Sequence, residues 1–135
     1  MKIAVVDGQG GGIGKAIVEK LIEQSLKDVQ IMALGTNALA TSTMLRAGAS
    51  VGATGENAIC HNVPGVDIIL GTMGILVPNA MLGELTPAMA NAIGASDAKK
   101  ILIPYQKCNV YVMGVKSASI QVLLEEMMML IKAEF

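Results

Sequence analysis

Between Asp7 and Gly14 the chain carries a dense glycine run, Asp7-Gly8-Gln9-Gly10-Gly11-Gly12-Ile13-Gly14. An apolar segment, Ile3-Ala4-Val5-Val6, precedes it, and Lys15-Ala16-Ile17-Val18-Glu19-Lys20-Leu21 follows. The order reads as a buried strand, a glycine loop and an amphipathic helix. The chemistry this suggests is anion binding. A helix start leaves about four backbone N–H groups without partners and carries about half a positive charge. Glycines let the backbone approach a phosphate closely and take up positive φ without a Cβ clash. The N–H groups of Gly12, Ile13 and Gly14 are therefore expected to face solvent or a phosphate. The competing reading is a turn that only packs a helix onto a strand. Lys15 opposes the helix dipole by a few tenths of a kcal/mol unless an anion is bound or Glu19 pairs with it. Asp7 would repel phosphate unless it faces away, holds a metal or caps the loop N–H groups. Of these, capping is the ordinary chemistry of an Asp-Gly turn.

Two later segments belong to the same chemistry if the strands are parallel, because such sheets gather their ligands beyond the carboxyl ends of the strands. Gly35-Thr36-Asn37 follows the second apolar run, and Gly71-Thr72-Met73-Gly74 follows another. Thr36 and Asn37 offer hydrogen bonds to a ribose or a phosphate and serve equally well as helix caps. The acidic residue that commonly meets ribose hydroxyls at the end of the second strand is missing. Asn57, Asn79 and Glu84 are polar residues in apolar or glycine-rich surroundings, suited to a cleft or to local turn and cap hydrogen bonds. His61 is the sole histidine, with no Cys or acid spaced as a triad partner. Cys108 sits beside Lys107, thin support for an activated thiol. Cys60 and Cys108 have no metal-ligand spacing. No catalytic residue and no metal site is assigned.

The elements that would position these residues alternate. Strands are expected over Lys2–Val6, Val29–Leu34, Val66–Leu70, Lys100–Ile103 and Val110–Val115. Helices are expected over Gly12–Ser25, from Gly35-Thr36-Asn37 to near Gly48, from Thr86-Pro87 to Gly94, and from Ser117 to about Ala133. A short helix over Glu56–Asn62 capped by Thr54 competes with a strand at Ala58–His61. In the last helix Ile120, Leu123, Leu124, Met127, Met128 and Ile131 share a face, which Val122 and Met129 widen. The alternation predicts a three-layer Rossmann-like α/β domain over residues 1–135. Its mostly parallel sheet would have about five strands, with helices on both faces.

Composition bounds the partners. Hydrophobic residues make up 53% of the 135-residue chain and charged residues 16%, against about a quarter charged in ordinary soluble domains. No apolar run reaches the roughly 18 residues of a membrane span, and Met1-Lys2 runs straight into the first strand without a leader. A cytoplasmic protein that hides apolar surface in a homo-oligomer, with a dimer favoured, is expected. A net charge of -1 and 2% aromatic residues leave no basic or stacking surface for nucleic acid.

Dinucleotide spacing G-x-G-x-x-G is not met, because Ile13 and Lys15 stand at the sixth positions. Gly8, Gly12 and Gly14 meet G-x-x-x-G-x-G, and this loop resembles the cofactor loop of short-chain dehydrogenases/reductases. The resemblance ends there: that family's Tyr and Lys four residues apart are absent, since Asn109 follows Tyr105 and Val115 follows Tyr111 at that distance. Over nearly its full length the chain resembles a family of small bacterial proteins known as domain of unknown function 3842. The resemblance rests on VDGQGGGIGKA at Val6–Ala16, ALGTNALAT at Ala33–Thr41 and GATGENAI at Gly52–Ile59. NAMLGELTPAMANAIG at Asn79–Gly94 and KKILIPYQKCN at Lys99–Asn109 add to it. It implies no activity and no catalytic residue. The expected function is binding of a small phosphate-bearing ligand, NAD(P) or another adenine nucleotide, by Asp7, Gly8, Gln9, Gly10, Gly11, Gly12, Ile13, Gly14, Thr36, Asn37, Gly71 and Thr72. The alternatives are an oxidoreductase or transferase completed by oligomerisation, and a purely structural oligomer.

Overall fold

The computed structural model describes residues 1–104 and 109–135. Tyr105 and Cys108 lie outside the described residues. Among the described residues, five parallel strands form one sheet in the order β3-β2-β1-β4-β5. They are β1 (Lys2–Asp7), β2 (Gln30–Gly35), β3 (Val51–Thr54), β4 (Ile68–Thr72) and β5 (Lys99–Ile103). The helices are α1 (Gly12–Glu23), α2 (Ala38–Arg46), α3 (Glu56–Asn62), α4 (Pro87–Ala95) and α5 (Ile120–Glu134), with 3-10 turns at Val63–Gly65 and Met73–Leu76.

Strand alternation divides the core. Ile3 and Val5 of β1 and Ile68 and Leu70 of β4 face one layer, where Ile17, Val18 and Leu21 of α1, Met44 of α2 and Leu124, Met127, Met128 and Ile131 of α5 pack. Ala4 and Val6 of β1 and Ile69 of β4 face the other layer, with Ile59 of α3 and Met89 and Ile93 of α4. Successive residues of a strand point to opposite faces, so a strand buried on both reads as a continuous apolar run. β1 is that case: every residue from Ile3 to Asp7 is buried. The strand order reverses beside β1, whose neighbours are β2 and β4.

The sheet has the expected number of strands but a different membership. Val51–Thr54 is the fifth strand, at the edge beside β2, while Val110–Val115 is not a strand. Val51-Gly52-Ala53-Thr54 lacks an apolar pattern because three of its four residues are exposed. Its backbone is held instead by register against Met32–Gly35. Val110–Val115 has the right residue types but turns at Met113-Gly114, with Gly114 at φ 84.

Smaller differences have local causes. Glu56–Asn62 is helical as preferred, but its N-cap is Gly55 at φ 97. Thr54 closes β3, and its hydroxyl donates to Thr41 Oγ1 at 2.8 Å. Gly71 and Thr72 belong to β4 rather than to a loop. The last helix starts after Ser119, whose hydroxyl accepts from the Val122 N–H. The Thr86-Pro87 start is as expected, with Thr86 Oγ1 accepting from the Met89 N–H at 3.2 Å. Gly48 follows the C-cap of α2 at φ 122, a backbone state suited to glycine. No helix among the described residues is long and apolar enough to cross a membrane.

Candidate functional site: a glycine loop held by two carboxylates

The glycine loop leaves the end of β1, next to the point where the strand order reverses, and turns into α1. Its glycines do two different jobs. Gly8, Gly11 and Gly14 are packing positions. A Cβ on Gly8 would lie 2.5 Å from Thr36 Oγ1 and 2.6 Å from Met81 Sδ. On Gly11 it would lie 2.9 Å from the Ala40 Cα, and φ is +75 there. On Gly14 it would lie 2.6 Å from Met44 Sδ and 2.9 Å from Asp7 Cβ. Gly10 and Gly12 are open positions, where a Cβ would meet nothing within 4 Å. The close-packing glycines bring α1 against β1 and α2, and the open ones leave the outer side of the loop bare.

Asp7 caps the loop from beneath. Its side chain is 7% exposed. Oδ1 accepts from the Gly8 N–H at 2.8 Å and Oδ2 from the Gly14 N–H at 2.6 Å. Gly14 is thus a correction to the expected set of free donors, because its N–H is spent on Asp7. The N–H groups of Gly10, Gly12 and Ile13 have no protein acceptor among the described residues. Lys15 lies 3.8 Å from Glu19 in an exposed pair, a contact of little energetic weight.

The second carboxylate comes from far away in sequence. Glu84, in the connection between β4 and α4, reaches over to the first two strand ends. Its Oε1 accepts from the Gln9 N–H at 2.9 Å, the Thr36 hydroxyl at 2.8 Å and Asn37 Nδ2 at 2.6 Å. Asn37 also caps α2 through the Ala40 N–H at 2.9 Å and donates to the Gln9 carbonyl, likewise at 2.9 Å. The Thr36 N–H donates to the Asp7 carbonyl at 3.0 Å. The ends of β1 and β2 are thereby tied together. The end of β4 lies beside them, since a Cβ on Gly71 would stand 2.8 Å from the Val6 carbonyl oxygen. Thr72, 7% exposed, is the last residue of that strand. The ends of β1, β2 and β4 therefore lie side by side, with Gly71 and Thr72 inside the strand rather than in a loop.

Of the remaining candidates, His61 and Asn57 are exposed on α3, and Asn79 is exposed before α4. The Cys60 thiol points at the Ala88 carbonyl, 3.6 Å away. No group of three or more His, Cys, Asp or Glu that could hold a metal occurs among the described residues. Sequence reasoning weighed Glu84 without placing it in the site, and it missed Met81. Neither has a local signal, because Glu84 stands 75 residues from Gln9.

The pKa values of the two carboxyl groups are shifted in opposite directions. Burial pushes the Asp7 carboxyl above its ordinary value of 3.8, against the Gly14 and Gly8 N–H groups, with the Glu84 charge adding to the rise. The Gln9 N–H holds Glu84 below its ordinary value of 4.5, helped by Asn37 and Thr36 against some desolvation. A lowered pKa contributes stability that is present above the unfolded value and lost as pH falls through the folded one. The raised Asp7 has the reverse sign: its contribution is fully present below 3.8 and is lost as pH rises through its folded value. Glu84→Gln is accordingly expected to be less stable than the wild type at about pH 7, by on the order of 1 kcal/mol after solvent screening. The difference should close as pH falls from there through the lowered folded value of Glu84, below which the carboxyl is protonated in both states. Urea unfolding of the two proteins across that range reads it, and a pH-independent difference would show that the Glu84 charge does not matter.

No curated protein matches the chain. A family model, Domain of unknown function (DUF3842), matches residues 2–135. With that match running from the first residue of β1 to the end of α5, the chain belongs to the DUF3842 family.

Proposed function

We propose that the protein binds a nucleotide, with an adenine nucleotide or NAD(P) as the class, through the outer side of the glycine loop. The observation that carries this reading is the division of labour among the glycines. A turn serving only to pack α1 on β1 would need Gly8, Gly11 and Gly14, which fit against neighbours. It would not need Gly10 and Gly12, where a side chain would meet open space. Bare backbone beside a helix start, with the Gly10, Gly12 and Ile13 N–H groups uncommitted among the described residues, suits a phosphate that must approach closely. The position at a strand-order reversal is where open parallel sheets bind their ligands. Asp7 serves as the cap that holds the loop, and Thr36, Asn37, Gly71 and Thr72 form the neighbouring strand ends.

The protein acts as a binding module in this reading. Proton transfer needs a donor and acceptor pair positioned on the substrate, and Asp7 is occupied by two loop N–H groups. The binding unit is a homo-oligomer, with a dimer favoured. On α5, Val122 is 44% exposed, Met129 70% and Leu130 44%, and Tyr111, Val112, Met113 and Val115 before that helix are exposed too. Exposed apolar side chains in this number suit burial against a second copy of the chain.

Native mass spectrometry of freshly purified protein, with and without added ADP or NAD, tests both parts. The expected spectrum is a particle heavier than the 14.0 kDa chain carrying a nucleotide mass. A bare particle at every nucleotide concentration would favour the structural reading of the loop.

A further inference from the structure

The connection that delivers Glu84 is built against backbone preference. Asn79, Met81 and Leu82 have φ of 65, 58 and 57, and Gly83 has φ 90. Non-glycine residues avoid this region, and a bulky one there is an outlier that points toward function. Leu82 is 99% exposed, so packing of its side chain does not account for its conformation. What the segment achieves is visible on either side of Leu82. Met81 Sδ lies 2.6 Å from where a Cβ on Gly8 would stand, and Glu84 reaches Gln9, Thr36 and Asn37.

The hydrogen bonding of Glu84 is one-sided. All three donors go to Oε1, and Oε2 has no partner among the described residues. An ionised carboxylate is an acceptor only, with capacity for several more bonds. It is therefore held rigidly by one oxygen while the other is available. A carboxylate so placed attracts hydroxyl donors and repels phosphate. It stands at the end of β2, beside the first glycine of the loop, in a chain whose own β2 ends at Gly35 and is followed by Thr36-Asn37 without an acid.

We infer that Glu84 is the residue that reads the sugar of the bound nucleotide, with its Oε2 accepting hydrogen bonds from a ribose 2′,3′-diol. The inference rests on the nucleotide-binding reading above and narrows it. The ligand is a ribonucleotide with an unmodified 2′-hydroxyl, and 2′-deoxy and 2′-phosphorylated nucleotides are discriminated against. The phosphates lie toward Gly10, Gly12 and Ile13, and the neutral diol lies toward Glu84. The carboxylate at the end of β2 is supplied by the β4–α4 connection, which is held in shape by backbone hydrogen bonds from the Asn79 N–H to the Leu85 carbonyl at 2.8 Å and from the Leu85 N–H to the Ala80 carbonyl at 3.2 Å.

Isothermal titration of the wild type and of Glu84→Gln with ADP, 2′-deoxy-ADP, adenosine 2′,5′-bisphosphate and inorganic pyrophosphate tests this. The wild type should bind ADP about tenfold or more tightly than either modified nucleotide, the effect of one hydrogen bond to a charged group. In Glu84→Gln the preference over 2′-deoxy-ADP should shrink to about twofold, with pyrophosphate bound as tightly as before or more tightly, because a carboxylate that repels phosphate is gone. Glu84→Asp retains the charge but withdraws the carboxylate, and it should lose the same preference. Equal wild-type affinity for ADP and 2′-deoxy-ADP overturns the inference and leaves nucleotide binding standing. So does a Glu84→Gln variant that loses pyrophosphate affinity while keeping its sugar preference, because that marks a tether for the loop. Tighter binding of every ligand by Glu84→Gln also overturns it, by identifying the carboxylate as a plug. Absence of binding by ADP and pyrophosphate alike removes the nucleotide reading and this inference together.

Discussion

Gly14→Val is expected to lower the unfolding free energy by about 3 kcal/mol, the sum of overpacking and a lost buried hydrogen bond. Gly14 is the point where the first turn of α1 rests on β1. Its missing Cβ would stand 2.9 Å from Asp7 Cβ and 3.0 Å from Asp7 Oδ2. Met44 Sδ could swing aside, but Asp7 Cβ is fixed to the central strand. The helix must therefore lift, and lifting it stretches the 2.6 Å bond from the Gly14 N–H to Asp7. Against a typical total of roughly 5–15 kcal/mol this is a large share. Chemical denaturation reads it directly. A loss under about 0.5 kcal/mol, the ordinary range for surface changes, would mean that α1 is not seated on β1 as described.

The same substitution two residues earlier is expected to have the opposite profile. Gly12→Val places its side chain where nothing stands within 4 Å, at a position without positive φ. Stability should stay within about 0.5 kcal/mol of the wild type. What it should remove is the rise in melting temperature caused by an adenine nucleotide, because the added methyl groups occupy the approach to the Gly12 and Ile13 N–H groups. A ligand present at about 100 times its Kd stabilises a protein by about 2.7 kcal/mol, so the effect is of measurable size. Retention of the full nucleotide shift by Gly12→Val would place the ligand elsewhere. The pair of variants separates the structural glycine from the open one inside a single loop.

The sequence by itself determined the layer architecture, and the reason is local. Continuous apolar runs such as Ile3–Val6 and the apolar run at Ile68–Leu70 are buried on both faces, a pattern that specifies central strands whatever their order. Helix periodicity and caps also act over a few residues, so α1, α2 and α4 began close to where they were expected, at the glycine loop, at Asn37 and at Thr86. The capping role of Asp7 was legible for the same reason: the cap lies within seven residues of its donors. The identity of the fifth strand was not legible. Val51–Thr54 is an edge strand with little side-chain burial, made by backbone pairing to β2. Val110–Val115 carries strand-forming residues that pair with no strand among the described residues. Nor could the chain announce which loop donors were free, since Asp7 claims Gly14, Glu84 claims Gln9, and Gly12 and Ile13 have no acceptor among the described residues. Only the tertiary structure decided that an acid absent from the end of β2 arrives there from the β4–α4 connection. A hydrogen bond between residues 75 positions apart leaves no periodicity, cap or turn signal in the segments that make it.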